Sequence, residues 1–122
     1  MVFMSLAYQT ATAPNGQPLA VIPLHGRFDA KTVADVRHQV QQVIDSGFVH
    51  LLLDLQQVTF MDSSGLGTLI SILRQCRSQN GNVCLCRVPE VVQIVLDLTS
   101  MDRVLSCFKN PEEGIQDFVV WR

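Results

Sequence analysis

The sequence predicts an α/β domain in which a mixed four- to five-stranded sheet carries helices packed mainly on one face. Asn15-Gly16 between two apolar runs marks a hairpin, since this pair readily takes the positive backbone angles of a tight turn. From Asp29 the apolar spacing changes to the helical three-and-four pattern, and beyond it strand-like and helix-like segments alternate. Alternation of that kind builds parallel strands joined by crossovers, which place successive helices on a common face. At 122 residues the chain fits one domain, spanning 1–122, whose folding buries about two thirds of the unfolded surface.

The first strand falls within Phe3–Thr10 and the second within Leu19–Leu24, where Pro23 has no amide proton and demands a free edge or an early strand end. Val33, Val36, Val40, Val43 and Ile44 then form the apolar stripe of a helix that Asp29 is expected to cap and Ser46-Gly47 to stop. Phe48–Leu55 reads as a buried strand ended by Gln56-Gln57. A second helix opens at Asp62-Ser63-Ser64, carries Leu66, Leu69, Ile70, Leu73 and Cys76, and ends at Asn80-Gly81. Val83–Arg87 is the next strand, and Pro89 opens a helix with Val92, Val95, Leu96 and Leu98. A short apolar piece, Val104–Phe108, precedes a Pro111-led helix ending near Trp121. The second sheet face is expected to be thinly covered, with Tyr8 and the hairpin filling it.

Composition excludes several functions. Nine Lys and Arg against eleven Asp and Glu give a net charge of -2, so no positive field recruits nucleic acid. The longest apolar run, Phe48–Leu53, contains His50 and is far shorter than the roughly 20 residues of a membrane span. Met1–Leu6 lacks a basic flank and a cleavage site, so a cytoplasmic protein is expected. Cys76, Cys84, Cys86 and Cys107 supply no spaced second pair for zinc and read as reduced core residues, leaving no metal or cofactor expected.

Phe60-Met61-Asp62-Ser63-Ser64-Gly65-Leu66-Gly67-Thr68 is the segment that carries chemistry. Two glycines in a first helical turn each cost about 1 kcal/mol against alanine, so close approach of another group is the reason to keep them. A helical projection centred on Leu66, Leu69, Ile70 and Leu73 puts Ser64 on the exposed side above Thr68, Ser71 and Gln75, and Ser63 nearer the core. Asp62 is read first as the helix cap and second as a group orienting the Ser64 hydroxyl. Thr68 is a second hydroxyl on the same stripe.

That string, with Leu24-His25-Gly26-Arg27-Phe28-Asp29 upstream, resembles the STAS domain of anti-sigma-factor antagonists over nearly the whole chain. The resemblance implies a phosphoacceptor at Ser64, the second serine, modified by a partner anti-sigma factor that is also a serine kinase and binds the ATP itself. It implies a phosphatase of the PP2C type to reset the switch, and a partner surface including Asp29, Asp62, Ser63, Gly65, Gly67, Thr68 and Ser71. Unphosphorylated, such a protein sequesters the anti-sigma factor and frees a sigma factor for transcription. Two positions depart from the family: Arg27 stands where an acidic residue is frequent, and Thr99-Ser100-Met101 where a glycine is common.

Other classes remain. A serine nucleophile at Ser64 would need a base, and of His25, His38 and His50 only His25 is suitably placed; Gly-x-Ser-x-Gly is absent, so no enzyme is expected. A nucleotide or other small-molecule module would use Gly65-Leu66-Gly67, which lacks the third glycine of a dinucleotide fingerprint and the lysine of a P-loop. A scaffold or oligomer would use Val119, Val120 and Trp121 as an apolar patch.

Overall fold

The computed structural model describes residues 8–119. Most of the expected first strand, Phe3–Thr10, lies outside the described residues, as do Val120 and Trp121. The elements run β1 Gln9–Thr12, β2 Pro18–Phe28, α1 Val33–Asp45, β3 His50–Met61, α2 Ser63–Ser78, β4 Asn82–Cys86 and α3 Glu90–Leu98. A 3-10 turn Met101–Arg103, β5 Cys107–Phe108 and α4 Pro111–Gln116 follow. They form a five-stranded sheet in the order β1-β2-β3-β4-β5, with β1 antiparallel to β2 and all other pairs parallel.

Alternation along the strands separates two cores. Ile22, Leu51, Leu53, Leu55, Val83 and Leu85 face one way and pack under Val40, Val43, Leu69, Leu73, Val92 and Leu96 of α1, α2 and α3. Leu19, Val21, Leu52, Cys84 and Cys86 face the other way, covered by Ala13, Phe118 and Ile115 of the short α4. The hairpin residues thus fill the second face as expected. The Tyr8 ring instead meets Phe48 edge-on, centroids 6.0 Å apart, at the margin of the larger core. Burial pushes the Cys84 thiol up to about 11 and Cys86 to about 12, as befits core cysteines, whereas Cys107, expected in the core, is exposed on the two-residue strand β5.

Two strands outrun their expected ends. β2 continues from Leu24 to Phe28 and β3 passes Gln56-Gln57 to Met61, because the two extensions pair with each other: Gly26 with Val58, Arg27 with Phe60, Phe28 with Met61. Both glutamines are exposed, so polarity there marks solvent contact and not a strand end. Pro23 lies beyond Val21, the last β1 partner, and the β2–β3 register shifts immediately after it, which accommodates its missing donor. The paired extension carries the polypeptide beyond the sheet's body and delivers both the Asp29 turn and the start of α2 to one corner.

Candidate functional site at the amino end of the second helix

Asp62 is the N-cap of α2. Its backbone is extended, φ -110 and ψ -171, and its Oδ1 accepts from the Ser64 amide at 2.9 Å and the Gly65 amide at 3.1 Å. Two donors that a helix start leaves unsatisfied are thereby paired. Oδ1 is engaged in capping, and among the described residues no hydrogen bond joins the Asp62 carboxylate to the Ser64 hydroxyl.

The two serines sit opposite to the helical projection. Ser63 is exposed and Ser64 half-buried; neither hydroxyl has a hydrogen-bond partner among the described residues. Thr68 is buried, 4% exposed, with its hydroxyl donating to the Ser64 carbonyl at 3.0 Å; Ser71 is half-buried. The expected exposed stripe is therefore a helix flank. α2 buries two sides, one on the sheet and one against α1, where Gln75 Nε2 donates to Gln41 Oε1 at 2.7 Å. A projection with one apolar stripe misses the second contact.

Gly65 and Gly67 have different reasons to be glycine. A Cβ on Gly65 would run into the carbonyl oxygen of Phe28 and stand 3.2 Å from Met61 Cγ. The chain's own backbone is what approaches, and the Asp62 amide points at that same carbonyl, 3.4 Å away. A Cβ on Gly67 would meet nothing within 4 Å, and Gly67 is exposed. The first glycine locks α2 onto the end of β2; the second leaves an open, side-chain-free spot one turn into the helix.

Locking at Gly65 sets the Asp29 turn beside α2. Asp29 is not the cap of α1, as expected from sequence; Thr32 holds that position without a side-chain cap bond. Asp29 instead organises the turn before it. Its carbonyl accepts from Thr32 and Val33 amides, both at 3.0 Å, and Oδ1 accepts from the Lys31 amide at 3.0 Å. Thr32 Oγ1 accepts from the Asp29 amide at 3.0 Å and donates to the Arg27 carbonyl at 2.8 Å. The helical period located α1, but the turn that spends the Asp29 carboxylate on the Lys31 amide and Arg27, and the Thr32 hydroxyl on the Arg27 carbonyl, left no trace in that pattern.

Arg27 folds back over this turn. Its Nε donates to Asp29 Oδ2 at 3.1 Å and its guanidinium lies 4.1 Å from the Phe60 ring centroid. The hydrogen bond from Arg27 is the main cause holding the Asp29 carboxyl below its ordinary range, with the Lys31 amide assisting against some desolvation. The exposed Arg27 thus neutralises the largely covered Asp29 carboxylate of this corner. A depression of about 280 Å³ runs from this turn between β2 and α1, lined by His25, Gly26, Arg27, Asp35 and Gln39 among others. Ser100 is left-handed, φ 59, so the family's glycine has a conformational reason that this chain forgoes.

Among the described residues no histidine is hydrogen-bonded to the Ser64 hydroxyl. His25 lines the depression beside α1, His38 is on the exposed side of α1, and His50 is buried at the start of β3, edge-on to Phe118 at 5.6 Å. Among the described residues no group of three or more His, Cys, Asp or Glu stands close enough to hold a metal ion, and no helix is long and apolar enough to cross a membrane.

Comparison with known proteins agrees with this geometry. The STAS domain family model matches residues 10–114, and the chain belongs to that family. It is 27% identical over 101 residues to an anti-sigma F factor antagonist of Paenibacillus polymyxa, covering 82% of this chain and 86% of that one. Among solved structures, the unphosphorylated anti-sigma factor antagonist SpoIIAA superposes with a TM-score of 0.70 at 23% identity, covering 89% of this chain and 93% of that chain. The phosphorylated form of SpoIIAA, from Bacillus, gives 0.64 at 23% identity, covering 89% of this chain and 96% of that chain. At such identity these structures speak for the fold.

Proposed function

Taking membership of the STAS family as the premise, we propose that this chain is a cytoplasmic anti-sigma-factor antagonist, a binding protein and not an enzyme, switched by phosphorylation of Ser64. Unphosphorylated, it docks an anti-sigma factor through the amino end of α2 and the Asp29 turn. That partner is a serine kinase carrying its own ATP, and a PP2C-type phosphatase reverses the modification. The names of the curated relatives support the antagonist role. The observation that carries the reading is the corner itself: Ser64 with an unengaged hydroxyl, Gly67 opening free space, and the Asp29 turn held alongside by Gly65.

A phosphate on Ser64 adds about -1.5 to -2 charge at neutral pH. The amides of Ser64 and Gly65 are already taken by Asp62, so the dianion gains the helix dipole and solvent but no ready pocket of free donors. It stands beside the capping carboxylate, whose like charge opposes it, and the helix dipole and solvent offset that cost where the phosphate reaches water from the half-buried serine. A docked partner would have to strip that water away. Losing about 2.7 kcal/mol weakens binding a hundredfold, less than the cost of burying an unpaired charge.

The test is binding of the anti-sigma factor from the same source to the parent chain, Ser64→Ala and Ser64→Asp, with thermal unfolding alongside. Ser64→Ala should bind, and Ser64→Asp should lose binding by a hundredfold or more while unfolding stays cooperative. Equal binding by Ser64→Asp overturns the switch. The parallel variant Ser63→Asp, at the more exposed serine, should reduce binding less.

A further inference from the structure

A second built site lies on the α4 face, away from the α2 corner. Val83 and Leu85 point toward the α1–α3 layer and Cys84 and Cys86 toward α4, so a residue 87 in regular strand geometry would point toward the helix layer. Arg87 leaves that geometry. Its φ is 49, a left-handed conformation unusual for a bulky side chain, pinned by a 3.0 Å hydrogen bond from its amide to the Phe108 carbonyl. The twist re-aims the side chain to the α4 face. There Nε donates to Asp54 Oδ1 at 3.2 Å and Nη2 donates to Oδ2. Backbone outliers of this type are kept where the surrounding structure uses them.

Asp54 is almost fully buried, its side chain 9% exposed, and also accepts from the Gln56 amide at 3.2 Å. Arg87 Nη1 has no hydrogen-bond partner among the described residues, and its side chain is 38% exposed. The pair opens into a cleft of about 390 Å³ with apolar walls from Val21, Pro23 and Pro111 and a second carboxylate from Glu112. That size is within the range of small-molecule sites. The Asp54 hydrogen bond holds the guanidinium more firmly protonated than usual against a desolvation cost, and Glu112 adds a weaker pull the same way.

Charge decides the ligand class. One guanidinium and two carboxylates leave the cleft net negative, so a simple anion is repelled from Arg87, while a simple cation leaves the free Nη edge unused. We propose that this cleft binds a small zwitterion of the amino-acid type, its carboxylate on the free Nη edge of Arg87 and its ammonium toward Glu112 and Asp54. Pro23, Val21 and Pro111 offer an apolar bed for the side chain. The cleft lining includes neither Ser64 nor any other residue of the α2 start.

The experiment is a titration of the full chain, followed by amide chemical shifts, with the standard amino acids and with phenylpropionate and phenylethylamine as the deaminated and decarboxylated counterparts of phenylalanine. At least one amino acid should shift the Arg87, Gln56 and Phe108 amides saturably, with both counterparts at least tenfold weaker. Removing Arg87 would leave Asp54 buried without its ion pair, so the variant of choice is Glu112→Gln, at an exposed position on the rim. It should weaken binding about tenfold with an unchanged unfolding midpoint. No saturable shift with any amino acid, equal binding of phenylethylamine, or full affinity in Glu112→Gln would each overturn the proposal.

Discussion

α2 and α3 both follow a parallel strand and pack on the same sheet face, yet their first turns are built differently. α2 begins with a charged cap bonded to two amides, then two serines and a glycine whose missing side chain admits the Phe28 carbonyl. α3 begins at Pro89 with no side-chain cap bond, carries Glu90 in its first turn, and exposes Val91, Ile94 and Leu98 along its length. Glutamate and proline are ordinary helix-start residues. Ser63, Ser64, Gly65 and Gly67 give up helix propensity; the Phe28 carbonyl accounts for Gly65, and no neighbour within 4 Å accounts for Gly67. The contrast singles out the start of α2 as the place where sequence serves something other than helix formation.

Gly65→Val should break the contrast most severely. Its side chain enters the Phe28 carbonyl, and overpacking of this kind costs about 1–3 kcal/mol or more, read as a fall in the unfolding midpoint together with loss of docking. Asp62→Ala removes the cap from two amides and should cost about 1–2 kcal/mol, whereas Glu90→Ala at the start of α3 should stay within about 0.5 kcal/mol in the same denaturant titration.

Gly67→Ala sharpens the comparison because its two readouts diverge. Nothing lies within 4 Å of the added carbon, so the domain should gain about 1 kcal/mol of helix stability while partner affinity falls. A stabilised variant with undiminished affinity would place the docking surface elsewhere. Ser100→Gly, past the end of α3, should also stabilise by about 1 kcal/mol by relieving a left-handed backbone, with no change in docking.

The smallest effect concerns acid. His50 is buried, its Nδ1 has no hydrogen-bond partner among the described residues, and desolvation lowers its pKa below 6.5. As pH falls below 6.5 the unfolded chain takes up a proton that the folded chain resists, so the unfolded state binds more protons and stability declines. His50→Gln should flatten that decline in unfolding measured between neutral and mildly acidic pH.

Much of the corner was legible in sequence, for reasons that are local. Asp62, directly before the helical segment, is the cap its position suggests, whereas Asp29, four residues ahead of α1, is not, and Gly47, with φ 106, follows the end of α1 as Ser46-Gly47 suggests. What escaped depends on distant partners. Gln56 and Gln57 look like a strand end until Gly26–Phe28 is seen alongside. Thr68 looks exposed on a single-stripe projection but is buried with its hydroxyl on the Ser64 carbonyl, and at the cap, where backbone angles are not yet helical, the projected order of Ser63 and Ser64 reverses. The Arg87–Asp54 pair spans 33 residues and rests on one backbone angle, which no side-chain pattern encodes.

The most direct test of the switch is peptide-level phosphate mapping of the chain isolated from its source, in the presence of phosphatase inhibitors. A single phosphate on Ser64 is expected. Phosphate confined to Ser63 or to a site outside this helix, with Ser64 unmodified, would contradict it.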